Sequence, residues 1–198
     1  ESVARGMEVG ALTLCVYTLL YLALKNEEEF SVPRTVAMGA LTAASLLLRS
    51  DSIVPVGLIG LYGLLTAKKR VLFAAILGLF AGTALGGQLQ FRKHHFHETL
   101  PNTYFLKLYG ITPPTRVKRG LFVALEVLAM HLAVPSAFVF ACLPKIDKSW
   151  LRDKTARRRI LLALLVSAQV GYATYVGGDA WEWMLYANRY LCVGMPAL

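Results

Sequence analysis

Six apolar blocks, separated mostly by short basic clusters, leave this chain few ways to hide its hydrophobic surface. The blocks run approximately from Met7 to Leu24, Thr35 to Leu48, Ser52 to Ala67, Val71 to Gln90, Gly120 to Leu143 and Ile160 to Val176, and a seventh begins near Tyr190. A straight crossing of the bilayer takes roughly 20 apolar residues. The second and third blocks are short by that measure. Either they cross a thinned or sheltered region, or Arg49–Ser50–Asp51 marks a re-entrant turn. The expected architecture is all-α: a polytopic transmembrane helix bundle of about six to seven membrane helices, residues 1–198 forming a single transmembrane domain. The connection over residues 91–119 is too rich in aromatic and aliphatic residues for a plain linker and reads as an outer interfacial segment.

Composition agrees with the blocks. Of the 198 residues 56% are hydrophobic and only 17% are charged, against about 25% charged in soluble domains. A net charge of +9 raises nucleic acid as a partner. The basic residues, however, sit at the ends of apolar blocks, which marks membrane orientation and not a phosphate-binding face, so no nucleic-acid partner is expected. Cys15, Cys142 and Cys192 lie in or beside apolar blocks and form neither a disulfide framework nor a CxxC metal pattern. Glu1 opens the chain without signal-peptide architecture, and Leu198 falls part-way into an apolar run, so an internal fragment of a longer chain is expected.

Loop charge sets the expected orientation. With alternating helices, one side receives Lys25, Arg34, Lys68, Lys69, Arg70, Lys145, Lys148, Arg152, Lys154, Arg157, Arg158 and Arg159. The other receives Arg5, Arg49, Arg92, Lys93, Lys107, Arg116, Lys118, Arg119 and Arg189. The richer side, with the Lys145–Arg159 loop, is read as cytoplasmic. Glu8, Arg49, Asp51, the 94–107 segment, Asp179 and Glu182 then share the outer side, where polar residues from distant parts of the chain can build a site.

Helix-level expectations follow. Ala74, Gly78, Gly82 and Gly86 form a small-residue stripe that lets a neighbouring helix approach closely. Pro135 should kink the fifth helix. Glu126 and His131 lie inside it, five residues apart and on different faces; Glu126, near the outer end, can reach water or Arg119. Glu8 and Asp51 each precede an apolar run, where a carboxylate suits a helix N-terminus.

Two segments carry most of the chemistry. In Gly177-Gly178-Asp179-Ala180-Trp181-Glu182-Trp183 the glycines permit a left-handed turn at a helix end. Asp179 and Glu182 have the spacing of a capping box, and the tryptophans suit either an interfacial belt or stacking on a sugar. In the second segment, His94, His95 and His97 beside Glu98 invite a metal. No second ligand cluster is spaced to complete a site, and no metal is expected. Residues 104–109 read as a short interfacial helix, with Lys107 at head-group level and Arg92 and Lys93 near it.

The order Gly6-Met7-Glu8, Leu48-Arg49-Ser50-Asp51, Leu100-Pro101-Asn102-Thr103-Tyr104-Phe105-Leu106-Lys107 and Gly177-Gly178-Asp179 resembles the middle of the GT-C superfamily of polytopic glycosyltransferases. The similarity is to bacterial and mycobacterial arabinofuranosyl- and mannosyltransferase-like members. The Leu-Pro-Asn-Thr-Tyr element and the Gly-Gly-Asp loop are the specific parts, and the resemblance spans nearly all of the chain. It implies transfer of a sugar from a polyprenyl-phosphate donor to an extracytoplasmic glycan or lipid acceptor in the plasma (inner) membrane, with the motif loops outside. It places Lys107 with Arg92 on donor phosphate, and Asn102, Asp179 and Glu182 around the sugar, with Glu8 and Asp51 as further substrate-binding residues and Asp179 as the candidate catalytic carboxylate. No cofactor beyond the lipid-linked donor is implied. Ser50 stands where Pro is usual, Val9 where Thr is usual, and His94–His95 where a tyrosine pair is frequent. The family's catalytic Asp lies in a first outer loop that would precede Glu1. The rival expectation is a non-catalytic multi-pass subunit that packs into a larger membrane complex through its glycine-striped helix. A transporter stands third, since matched broken helices and repeat symmetry are missing from the sequence.

Overall fold

The computed structural model describes residues 7–98, 111–127 and 153–177, together with Ala129, Ala137, Ala141, Leu191, Val193 and Gly194. The chain divides into two compact units, residues 1–106 and 107–198. All regular structure among the described residues is helical, with no strand among them.

The first unit holds α1 (Met7–Glu28), α2 (Val32–Leu48), a 3-10 turn (Ser50–Ser52), α3 (Ile53–Thr66) and α4 (Arg70–Phe96). On α1 the apolar residues Leu12, Val16, Leu19, Leu20 and Ala23 recur at helical spacing and are all buried, which makes one stripe of the helix its packing face. The opposing face of α2 is built of small and hydroxyl-bearing side chains, Thr35, Met38, Gly39, Thr42, Ser45 and Leu46. Two of its hydroxyls are satisfied within the helix, Thr35 Oγ1 donating to Ser31 O and Ser45 Oγ to Leu41 O. Small residues let α1 and α4 come close on either side of α2, the packing mode favoured where lipid, not water, surrounds a bundle.

Glycine does provide the close approaches, though not at the glycines expected. A Cβ on Gly39 would lie 2.5 Å from the Phe80 ring, and one on Gly63 would run into the fully buried ring of Phe73. The phenylalanines of α4 thus seat on bare backbone of α2 and α3. The stripe Gly78, Gly82 and Gly86 meets nothing within 4 Å, so no described element packs against it. The physical reason is register: α4 turns Phe73, Leu77, Phe80 and Ala84 toward its neighbours, which leaves Gly82 and Gly86 on the outside and Gly78 on the wall of an apolar groove.

The ends of the unit are polar, and they alternate as the loop charges predict. At one end Asn26 donates to Thr35 Oγ1 at 3.3 Å and accepts from Ser31 N at 3.0 Å, and Tyr62 donates to Glu27 at 2.9 Å, all four side chains being buried or nearly so. Arg34 donates to Lys25 O and Glu29 O, capping the carbonyls at the end of α1, and the Lys69 ammonium stands over the Phe30 ring at 5.8 Å. At the other end sit Glu8, Arg49 and Arg92. Glu8 and Glu27 are 27 − 8 = 19 residues apart on α1, roughly 28 Å of helix, close to the ~30 Å of a bilayer's hydrocarbon.

The second unit holds α5 (Pro113–Val127) and α6 (Lys154–Val176). The sequence reading starts the fifth helix at Gly120; it starts at Pro113, because two prolines fit the first turn of a helix at no hydrogen-bond cost. Asp153 caps α6, accepting from Thr155 N at 2.9 Å and Ala156 N at 3.3 Å. The helix ends at Gly177 in the left-handed region, φ 83°, as the paired glycines predict. The two helices cross where Gly120 meets the Thr174 backbone. Ala173, Val176 and Leu191 form a small core beside them. Glu126 is half-buried on α5; His131, Pro135, Cys142 and Cys192 lie outside the described residues.

Three helices are long and apolar enough to cross a membrane: Glu8–Glu28, Arg70–Phe96 and Lys154–Val176. Their outward residues are apolar, Leu14 and Leu79 among them, as a lipid-facing surface requires. The helices Val32–Leu48 and Ser50–Thr66 are apolar but shorter.

Candidate functional site

Four of the polar residues picked out in the sequence gather at one mouth of the first unit. The chain leaves α2 at Arg49 in extended conformation, turns once through Ser50–Ser52 and enters α3. That short turn folds Arg49 back over Asp51. Arg49 Nε donates to Asp51 Oδ1 at 2.9 Å and Nη2 to Oδ2 at 2.7 Å, a bidentate clasp. The remaining Nη1 reaches Glu8 Oε1 at 3.4 Å, from the first turn of α1. Asp51 therefore neutralises its arginine instead of serving only as a helix-terminal charge. The Arg49 and Asp51 side chains are 14% and 17% exposed, while that of Glu8 is 49% exposed.

A second polar chain runs from α4. Gln88 Nε2 donates to Leu46 O at 2.9 Å and stands 3.4 Å from Leu47 O, closing carbonyls that the end of α2 leaves without helical partners. Ser50 Oγ stands 3.5 Å from Gln88 Oε1 and accepts from Arg92 Nη2 at 3.0 Å. Gln88 and Arg92, four residues apart on α4, share one face and grip the same turn. Arg92 thus belongs to the last turns of α4 and not to an irregular connection. Among the described residues no carboxylate pairs with it, so its charge and most of its donors remain uncommitted at the mouth.

An apolar groove of about 320 Å³ runs between α2, α3 and α4 beside this mouth, lined by Thr42, Ile53, Gly57, Gly60, Phe73 and Leu85 among others. Ile53 follows directly on the turn that carries Ser50, and Leu85 lies one turn before Gln88. Thr42 Oγ1 and Ser52 Oγ are buried without a hydrogen-bond partner.

The sequence reading missed Ser50 and Gln88. Gln88 had a signal: it is a polar side chain inside a candidate span, four residues before an arginine. Ser50 enters the sequence reading as part of the Arg49–Ser50–Asp51 turn and as a departure from the family pattern, without a role for its hydroxyl, which bridges Gln88 and Arg92 as a proline cannot. Of the other candidates, Asn102, Lys107, Asp179 and Glu182 lie outside the described residues, as does the 104–109 segment. His94 and His95 meet edge to face, with ring centroids 5.2 Å apart. His95 stacks on Phe91 with centroids 4.3 Å apart, His97 sits in the left-handed region beyond the helix end, and among the described residues no group of three metal-type ligands forms. Comparison with protein-family models, curated proteins and solved structures finds no match to this chain.

Proposed function

We propose that the chain is the central part of a GT-C-like membrane glycosyltransferase, moving a sugar from a polyprenyl-phosphate donor to an extracytoplasmic glycan or lipid acceptor. The observation that carries this reading is Arg92, an arginine anchored on Ser50 but unpaired with any described carboxylate, at the rim of an apolar groove. A lipid phosphate needs both: cationic donors for its oxygens and an apolar track for its chain. On this reading the mouth of the first unit receives the donor phosphate at Arg92, and the resemblance adds Lys107 as a second cation. The resemblance gives Asn102 and Glu182 to the sugar, while Glu8 and Asp51, its further substrate-binding residues, hold Arg49 at the edge of the first unit's mouth. The acceptor hydroxyl attacks the anomeric carbon, its proton passes to a carboxylate base, for which the resemblance offers Asp179 as the candidate in this chain, and the bond to phosphate breaks with the electron pair leaving on polyprenyl phosphate. Positive charge beside the departing phosphate lowers that barrier. The remaining topology follows the same proposal: six to seven spans in the plasma (inner) membrane, residues 91–119 at the outer interface, and the Lys145–Arg159 loop inside.

One observation favours a second reading. Gly82 and Gly86 lie open on α4, a span largely unburied in its own unit, and such a face suits a helix of another membrane subunit. The chain is then a non-catalytic scaffold in a larger complex.

The test is transfer from radiolabelled polyprenyl-phosphate sugar in membranes containing the protein. Arg92→Gln and Asp179→Asn should each lower transfer by roughly tenfold or more. Wild-type rates in both variants would sink the transferase reading. Absence of transfer, with a co-purifying subunit that Gly82→Leu releases, would put the scaffold in its place.

A further inference from the structure

Arg116, in the first turns of α5, is only 9% exposed. Its Nε has no hydrogen-bond partner, and its guanidinium stands over the Tyr175 ring with 4.8 Å to the centroid. A buried cation without an anion is costly, and aromatic stacking recovers part of that cost only. The described carboxylates of this unit are remote. Glu126 lies 126 − 116 = 10 residues further along α5, roughly 15 Å, and Asp153 lies at the far end of α6, 175 − 153 = 22 residues or roughly 33 Å from Tyr175. The backbone has been cleared to bring Arg116 here. Gly120 admits the Thr174 backbone, and a Cβ on Gly177 would fall 2.5 Å from Arg116 Cγ.

We propose that Arg116 is a binding residue for the phosphate of an anionic membrane lipid, a site in the second unit that does not depend on the transferase reading. Three observations favour a lipid over a soluble anion. Arg116 stacks on Tyr175 at the end of α6, a candidate span whose 23 residues amount to about 35 Å, one full crossing, so the guanidinium stands at head-group depth. Lys118 and Arg119 beside it are exposed and add attraction for an anionic surface. Val117, Leu121, Phe122 and Leu125 on the same helix are exposed and apolar, offering acyl chains a surface next to the cation. Nε itself is buried, so a phosphate meets the guanidinium through its Nη nitrogens, the charge-assisted donors that phosphate oxygens accept.

The full chain, purified in detergent, should retain phosphatidylglycerol in native mass spectrometry, and more of it than phosphatidylcholine. Arg116→Gln should weaken that retention by roughly tenfold or more, the loss expected for a charged hydrogen-bond donor. Arg116→Lys, which keeps the charge without the fork, should fall in between and guards against a folding defect in the glutamine variant. Inorganic phosphate should displace the lipid poorly; displacement at equal concentration would overturn the lipid assignment. Equal retention by wild type and both variants would overturn the site. So would a double-mutant cycle in thermal unfolding that couples Arg116→Gln to Asp179→Asn, because the anion would then belong to the chain itself.

Discussion

Arg49 holds Asp51 through two hydrogen bonds of 2.9 and 2.7 Å, and with its third nitrogen it reaches Glu8, 41 positions earlier in the chain. Local and long-range order meet in that one guanidinium. The bidentate half depends on a one-turn connection between α2 and α3, while the other half fixes where α1 begins relative to both.

The two halves should differ in energy. Removing one member of a largely buried pair strands the other's charge, so Arg49→Ala or Asp51→Ala should each cost about 2–3 kcal/mol of unfolding free energy. Glu8→Gln acts on a contact that is long and half-exposed, and should cost at most about 0.5 kcal/mol. Chemical unfolding in mild detergent measures all three. A Glu8 effect as large as that of Asp51 would show that the mouth is organised around α1 instead.

Ser50→Pro separates the backbone from the hydroxyl. Arg49 before it is already extended, φ −151° and ψ 127°, which suits a residue preceding proline, and a 3-10 turn tolerates the fixed φ of the ring. Stability should therefore stay within about 1 kcal/mol of wild type. The hydroxyl that accepts from Arg92 at 3.0 Å is lost, so the arginine loses its anchor. If the transferase proposal holds, the donor KM should rise several-fold with thermal midpoint unchanged. A collapse of the midpoint would mean that Ser50 serves the fold and not the placement of Arg92.

Much of this was legible from the order of residues, and the failures have physical causes. Apolar blocks and loop charges placed Glu8, Asp51 and Arg92 at one end of the bundle because a helix of bilayer length leaves its polar ends nowhere else to go. Gln88 escaped notice since a single amide in an apolar run carries no periodic signal. The start of α5 at Pro113 was hidden because its first turns are basic and amphipathic, and an apolar run alone finds only the part from Gly120 onward. The small-residue stripe on α4 was visible, but composition does not reveal which way a stripe faces. That direction is set by Phe73 and Phe80, which bind α4 to Gly63 and Gly39.

The glycines themselves give a sharp contrast. Gly39→Ala and Gly63→Ala force a methyl group into a packed phenylalanine ring, half-buried Phe80 and buried Phe73 respectively, and should each cost about 1–3 kcal/mol. Gly82→Ala and Gly86→Ala meet open space, and in the isolated chain they should be neutral or stabilising by up to about 1 kcal/mol from helix propensity. Thermal unfolding of the four variants in detergent separates the two classes. Destabilisation by the Gly82 and Gly86 changes only in native membranes, and not after purification, would reveal a partner helix on that face.

Both ends of α6 test how the second unit is closed. Asp153 satisfies two first-turn amides, so Asp153→Ala should cost about 1 kcal/mol, the usual worth of an N-cap. Gly177 carries two constraints at once. Its φ of 83° disfavours any side chain by about 1–2 kcal/mol, and a methyl group there would crowd Arg116 Cγ. Gly177→Ala should therefore exceed the Asp153 effect, at about 2–3 kcal/mol. The excess should shrink in an Arg116→Ala background, where the crowding atom is gone but the backbone strain is not. Full additivity of the two changes would place the whole cost in the left-handed turn, and would mean that Arg116 yields freely when Gly177 is filled.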